Sequence, residues 1–291
     1  LTFLPANLTR LVIDPYREAC RLDTELGAGR LKLDKPFFAT GFDDAPDQVR
    51  TGVAEGLSES STPYIGMKPI GCDVSWLQLV VPGHITPNPE ALGHIYTVGH
   101  QFEQIECRRM SDGHVMGLSV SAPELLAEVI PYSLEYGFDF LVLDGSHSLS
   151  SPWAELSGEP DLTILRDAVA ILRDLRREEG IGLIYFGGVR SGTDAAKVVA
   201  LGGTAVILGV TLALAAGGEI NECSNIRFSM NRSDSERADA VKNILNASTQ
   251  EASMMARCTG KTNLHNVEPE DLRAITKATA IATGVPLAGT T

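Results

Sequence analysis

Basic residues are in short supply. The chain has 24 Lys and Arg against 37 Asp and Glu, a formal net charge of −13 at pH 7 with histidine neutral. No basic stripe offsets that balance, so neither nucleic acid nor an anionic membrane surface is an expected partner. An anionic ligand has to be drawn in by local cations and backbone dipoles. Cysteine is sparse too: Cys20, Cys72, Cys107, Cys223 and Cys258 are odd in number and widely spaced. With no signal peptide to read, they indicate a reduced, cytoplasmic protein rather than a disulfide scaffold. Long apolar runs are missing. The longest, residues 205–216, is interrupted by Gly209 and falls short of the roughly 20 residues that cross a bilayer.

What the chain does have is apolar substance and a repeated strand–helix rhythm. Its 291 residues are 44% hydrophobic, enough for one large core. A single α/β barrel of ~250 residues plus a tail suits this length better than two ordinary domains. Short apolar runs at residues 36–40, 63–67, 76–81, 102–108, 115–120, 138–143, 183–186 and 204–208 read as eight strands. Helices are expected near 45–55, 89–98, 122–136 and 161–178, with another starting near Asp194. Leu165, Ala168, Val169, Leu172 and Leu175 recur at helical spacing, the mark of a helix covering a sheet. The expected fold is therefore a (β/α)₈ TIM barrel with a C-terminal helical extension. An N-terminal segment would occupy 1–34, the barrel 35–218 and the tail 219–291. Residues 57–75 leave little room for a helix. In the flanking segments, Asp14-Pro-Tyr-Arg-Glu-Ala-Cys20 suggests a helix start with Pro15 at its first position, and residues 233–255 and 266–272 suggest tail helices.

The most informative stretch is Leu183-Ile-Tyr-Phe-Gly-Gly-Val-Arg-Ser-Gly-Thr-Asp194. A strand running into glycines and then a helix start is an anion site. The glycines admit a phosphate to the backbone, the first helical N–H groups lack internal partners, and the dipole favours negative charge. The dipole is worth only ~0.3–1 kcal/mol by itself, so several donors and Arg190 must act together. The sequel, Ala195-Ala-Lys-Val-Val-Ala-Leu-Gly-Gly-Thr-Ala-Val-Ile-Leu-Gly-Val210, supplies a helix, a tight turn and a second buried strand ending in Gly209.

This pair of units resembles the last two βα units of FMN-binding (β/α)₈ barrels, and in particular the FMN domain of glutamate synthases. IMP dehydrogenases carry a similar run, but their catalytic cysteine follows the sixth strand. Here that place reads Asp144-Gly-Ser-His-Ser-Leu-Ser150, without cysteine. The resemblance covers residues 115–218 and, more loosely, the tail. It implies an FMN-dependent oxidoreductase that reduces an imine formed from a 2-oxo acid and ammonia or an amine. Gly187, Gly188, Arg190, Ser191, Gly192, Gly209 and Val210 would hold the phosphate, with Thr40 and Gly41 at the ring. Gln78 would face flavin or substrate, and Lys68 and Asp144 would be catalytic.

Some family features are absent. The fifth strand, Met116-Gly-Leu-Ser-Val-Ser121, lacks the lysine usually set against the flavin, so Lys68 from Gly66-Met-Lys-Pro-Ile-Gly71 is the substitute candidate. No closely spaced cysteine triplet is present for an iron–sulfur cluster, and no metal site is expected. There is no glutamine-hydrolysing unit, so ammonia would come from solution or from a separate amidotransferase subunit. An electron-donor subunit and an oligomeric assembly are further expectations. Two other readings stay open: a catalytically degenerate barrel serving a larger complex, and a barrel for another phosphorylated metabolite.

Several residues also carry plain structural readings. Asp43 and Asp44 would start a helix before Pro46. His147 reads as an exposed loop residue, and Trp76 and Trp153 as packing residues. Cys258-Thr-Gly-Lys-Thr262 echoes the end of a P-loop but lacks its upstream glycine and strand, so it is not read as a nucleotide site.

Overall fold

The computed structural model describes residues 1–6, 18–99, 101–105 and 107–289. Eight parallel strands close into a barrel in chain order: β1 (Phe37–Ala39), β2 (Tyr64–Gly66), β3 (Trp76–Val80), β4 (Gly93–Thr97), β5 (Val115–Val120), β6 (Phe140–Asp144), β7 (Gly182–Phe186) and β8 (Ala205–Leu208). Closure runs through Val206–Phe37, Ile207–Phe38 and Leu208–Ala39. The strands read as near-continuous apolar runs because both of their faces are covered. Phe38, Ile65, Leu77, Ile95, Ile184 and Ile207 fill the interior, while Phe37, Tyr64, Trp76, Leu141, Leu183 and Val206 pack in the outer layer. A hairpin of Thr24–Leu26 against Leu31–Leu33 closes the N-terminal mouth with Leu26, Leu31 and Leu33.

The helices follow unevenly. α1 (Asp47–Glu59) follows β1, α2 (Leu126–Glu135) β5, α3 (Thr163–Asp174) β6, α4 (Gly192–Ala200) β7 and α5 (Val210–Ala215) β8. Between β2 and β5, three successive connections carry no helix among the described residues. The tail helix α6 (Asp234–Cys258) begins in a capping box of Ser233 and Glu236 and packs against both α1 and α4. Glycines permit that approach. A Cβ on Gly52 would lie 2.7 Å from the Asp234 carbonyl oxygen, and one on Gly56 2.6 Å from that of Ala238. A last helix, α7 (Lys277–Thr283), ends on left-handed Gly284. Among the described residues no helix is long and apolar enough to cross a membrane.

Three sequence expectations need correction. The fourth strand is Gly93–Thr97, where a helix over 89–98 was expected, and residues 102–108 form no strand among those described. His94 disguised the strand. It is wholly buried on the outward face of β4, where its ring nitrogens meet Asn88 O at 3.0 Å and His114 at 2.8 Å. Residues 102–105 instead strap onto α2: Ile105 N donates to the Tyr132 hydroxyl, which donates back to Ile105 O, and Phe102 stands edge-on to Tyr132 at 5.0 Å. The expected helix over 266–272 is replaced by two 3₁₀ turns, Leu264–Asn266 and Pro269–Asp271, and a short strand, Leu272–Arg273. The proposed helix start at Asp14 lies outside the described residues.

The buried imidazole pair has a consequence for stability. Burial, then His94 and Arg109, push His114 down from 6.5 to about 4, with Asp139 opposing; burial also lowers His94. A histidine held neutral contributes fully above pH 6.5 and loses that contribution as the pH falls towards 4. The loss for His114 is on the order of 3 kcal/mol. Wild type should therefore lose melting temperature between pH 6.5 and 4.5 more steeply than His114→Gln. Parallel slopes in thermal melts would refute the assignment.

Candidate functional site at the barrel mouth

The C-terminal strand ends converge on one mouth, the functional face of such barrels. At the end of β8 the backbone N–H of Val210 points into this mouth, and those of Gly209 and, from β7, Gly188 join it. Val210 N donates to the carboxylate of Glu155 at 2.7 Å from Oε2, and the N–H groups of Gly209 and Gly188 face the same carboxylate. Three converging backbone donors with no cation in the set make an anion cradle. A Cβ on Gly209 would overlap Glu155 Oε2, and Gly188 at φ +61° adopts a backbone that favours glycine. The glycines are thus needed for the cradle itself. Burial raises the Glu155 carboxyl from 4.5 to about 7, against the three N–H donors that lower it and with Asp144 adding to the rise.

Next to it, the end of β1 supplies the other half. Gly41, at φ +97°, lies against the Trp153 indole; a Cβ there would come within 2.8 Å of the ring. Trp153 is buried, edge-on to Phe42 at 5.3 Å and near Phe228 at 5.9 Å. Thr40 is buried beside it, its hydroxyl donating to Ile65 O at 2.9 Å. Asp43 is occupied in tying β1 to β2. Its carboxylate accepts from Met67 N at 2.8 Å and the Tyr64 hydroxyl at 3.1 Å, and burial raises its pKa.

Beside this lies a cavity of about 190 Å³ lined by Ser119, Ser121, Asp144 and His147, among others. Asp144 ends β6, almost fully buried. It accepts from Ser146 N at 3.0 Å, the Ser146 hydroxyl at 2.9 Å and Leu149 N at 2.6 Å. Burial raises its pKa despite those donors. His147, at φ +64°, sets its Nδ1 3.0 Å from Ser121 O. A larger groove of about 780 Å³ lies over the helix-less connections after β3 and β4, with His84, Tyr96 and Glu103 as its titratable lining residues. It contains none of the cradle glycines.

The other expected residues take no part in the cradle itself. Arg190 is largely exposed and pairs with Asp194 at 3.0 Å. Gly192 N donates to Glu251 of α6 at 2.9 Å, and the Thr193 hydroxyl also donates to Glu251, so the α4 N-terminus is capped from within the chain. Ser191 precedes that helix without a side-chain cap bond. Gly187, at φ +149°, backs onto the Tyr185 hydroxyl and Pro160. Lys68 is exposed, 4.0 Å from exposed Asp44, a pairing worth little. Gln78 points out of the barrel. Its amide donates to Met67 O and Thr86 O and accepts from Asn88 N at 2.6 Å, holding the loops around β3.

Sequence reasoning missed Glu155 and Glu251 and gave Trp153 only a packing role. The available signal was Leu149, Trp153 and Leu156 set in a Ser-rich loop that would otherwise have no reason to hold apolar side chains.

No family model matches the chain. It is similar to a glutamate synthase large subunit-like protein of Rhizobium meliloti (strain 1021), 35% identical over 191 residues, which are 54% of this chain and 43% of the relative. An archaeal-type glutamate synthase (NADPH) of Thermotoga sp. (strain RQ2) is 26% identical over 106 residues, 35% of this chain and 21% of the relative. The chain thus spans less than half the length of either relative. Among solved structures, the flavin-binding domain of baker's yeast flavocytochrome b2 superposes with a TM-score of 0.63 at 17% identity, covering 99% of this chain and 79% of that one. A mandelate oxidase variant with a monooxide FMN adduct gives 0.58 at 14% identity, covering 90% and 84%. At such identities the likeness is one of fold.

Proposed function

We propose, from the premise that the chain belongs to the glutamate synthase family, that it is an FMN-dependent oxidoreductase. The observation that carries this is the anion cradle. Gly188, Gly209 and Val210 aim three N–H groups at one point above β7 and β8, already filled by a carboxylate. Their donor chemistry fits a phosphate. Thr40 and Gly41 would support the ring, because Gly41, lacking a side chain, already admits an aromatic ring against its backbone. Bound FMN supplies hydride transfer.

The finer reading is reduction of an imine formed from a 2-oxo acid and ammonia or an amine. The cavity beside the cradle supports it, because its residues pair acid–base groups with hydroxyl donors. Asp144, with its raised pKa, would hold or release a proton at the imine nitrogen. Ser119 and Ser121 would orient the substrate. Lys68, free of any strong ion pair, would meet the substrate carboxylate. Arg190, Ser191, Gly192 and Gly187 are proposed as the outer wall of the phosphate site, and Gln78 as the support of the loop above Lys68. A further subunit, an amidotransferase or an electron donor, would supply ammonia or reducing equivalents.

An absorption spectrum of the purified native protein tests the reading. A flavin spectrum, with FMN released stoichiometrically on denaturation, is the expected result. A colourless protein that takes up no added FMN would overturn it and leave the barrel a structural subunit.

A further inference from the structure

The two halves of the mouth are filled by one loop. Residues 146–160 leave β6 and return to α3 through a pinned base. Asp161 N donates to Gly145 O at 2.9 Å, and Gly145 N to Phe186 O at 2.8 Å. From that base the loop inserts Leu149, Trp153 and Ala154, all buried, with Leu149 and Ala154 joining the barrel's interior cluster. The Trp153 indole lies against Gly41, and the Glu155 carboxylate accepts from Val210 N and faces the N–H groups of Gly188 and Gly209. Apart from His147, Leu156 and Glu159, the remainder is serine, glycine and proline.

We propose that residues 146–160 are an internal occupant of the cofactor site, Glu155 standing for the phosphate and Trp153 for the ring, so that seating of this loop and binding of FMN exclude each other. The proposal rests on the flavin reading above. Three observations carry it. An aromatic surface and a carboxyl group are presented by one loop to the two places where FMN would need them. The donors are backbone groups that cannot serve a carboxylate and a phosphate together. The loop also spends backbone freedom to reach this pose, since His147 and Trp153 sit at φ +64° and +58°, uncommon for residues other than glycine. Its closed base holds the two ends of the segment together, so that it can lift as a unit. The seated loop then acts as a built-in competitor that sets the apparent affinity by the fraction of open molecules.

The test combines FMN titration, read by flavin fluorescence, with hydrogen exchange of the wild-type chain. Saturating FMN should raise amide exchange in residues 146–160, including Ser146 and Leu149, which lose their bonds to Asp144. Glu155→Ala should bind FMN at least tenfold more tightly than wild type. Exchange in 146–160 that stays unchanged or slows while FMN binds, with no gain in affinity for Glu155→Ala, would overturn the proposal and leave the flavin reading standing. If neither form takes up FMN, the flavin reading fails and this proposal with it. Uptake by the variant alone would support both.

Discussion

Gly192→Ala is expected to lower the melting temperature by roughly 6–12 °C. Gly192 opens α4, and a Cβ there would fall inside the carbonyl oxygen of Ser248 and within 2.7 Å of Ala252 N, both backbone atoms of α6. Backbone cannot rotate away as a side chain can. The helices must separate, and overpacking of this kind costs ~3 kcal/mol, which for a chain of this size is roughly 2–4 °C for each kcal/mol. Separation would also lengthen the bond from Gly192 N to Glu251, leaving the helix start without its cap. Gly113→Ala is the control, since a Cβ there meets nothing within 4 Å. Thermal unfolding followed by circular dichroism decides. A Gly192→Ala melt within about 2 °C of wild type would show that the α4–α6 contact yields more easily than the geometry indicates.

That contact also explains where sequence reasoning was strong and where it slipped. The βα units from residue 182 to 210 are legible because their strands are apolar on both faces and their turns are punctuated by glycine. Glycine at 187, 188, 192 and 209 looks alike on paper, yet the positions serve different ends. Gly188 and Gly209 expose backbone donors to the mouth, whereas Gly192 lets α6 approach and its amide is spent on Glu251. Distinguishing them requires the partner helix, some sixty residues away. The β4 strand was illegible for a related reason. Its outward His94 is polar by type but is satisfied by Asn88 and His114, a pairing that no local pattern announces. Gln78 was read inward because a strand's phase depends on its neighbours; Leu77 and Leu79 take the interior and turn Gln78 outward. The plug in the mouth was hidden too, because a loop of serines invites the expectation of solvent.

Apparent FMN affinity should rise with pH between 5 and 7 more steeply in wild type than in Glu155→Gln. Burial raises the Glu155 carboxyl of the seated loop from 4.5 to about 7, so the seated state holds a proton that the open state releases. Seating is therefore most favoured below pH 4.5 and loses that advantage as the pH rises through 7. Since each pKa unit is tenfold in an equilibrium constant, the full effect reaches roughly 300-fold. The titratable groups facing Glu155 are Asp144 from β6 and Tyr185 from β7, and both are retained in the variant. The remaining neighbours are the N–H groups of Gly188, Gly209 and Val210, which do not titrate. A phosphate monoester has a second pKa of about 6, so FMN itself gains charge over the same interval and tilts both proteins in the same direction. The excess slope of wild type over Glu155→Gln isolates the carboxylate. Superimposable profiles would mean that Glu155 leaves the cradle without changing its protonation, and the coupling between seating and pH would be withdrawn.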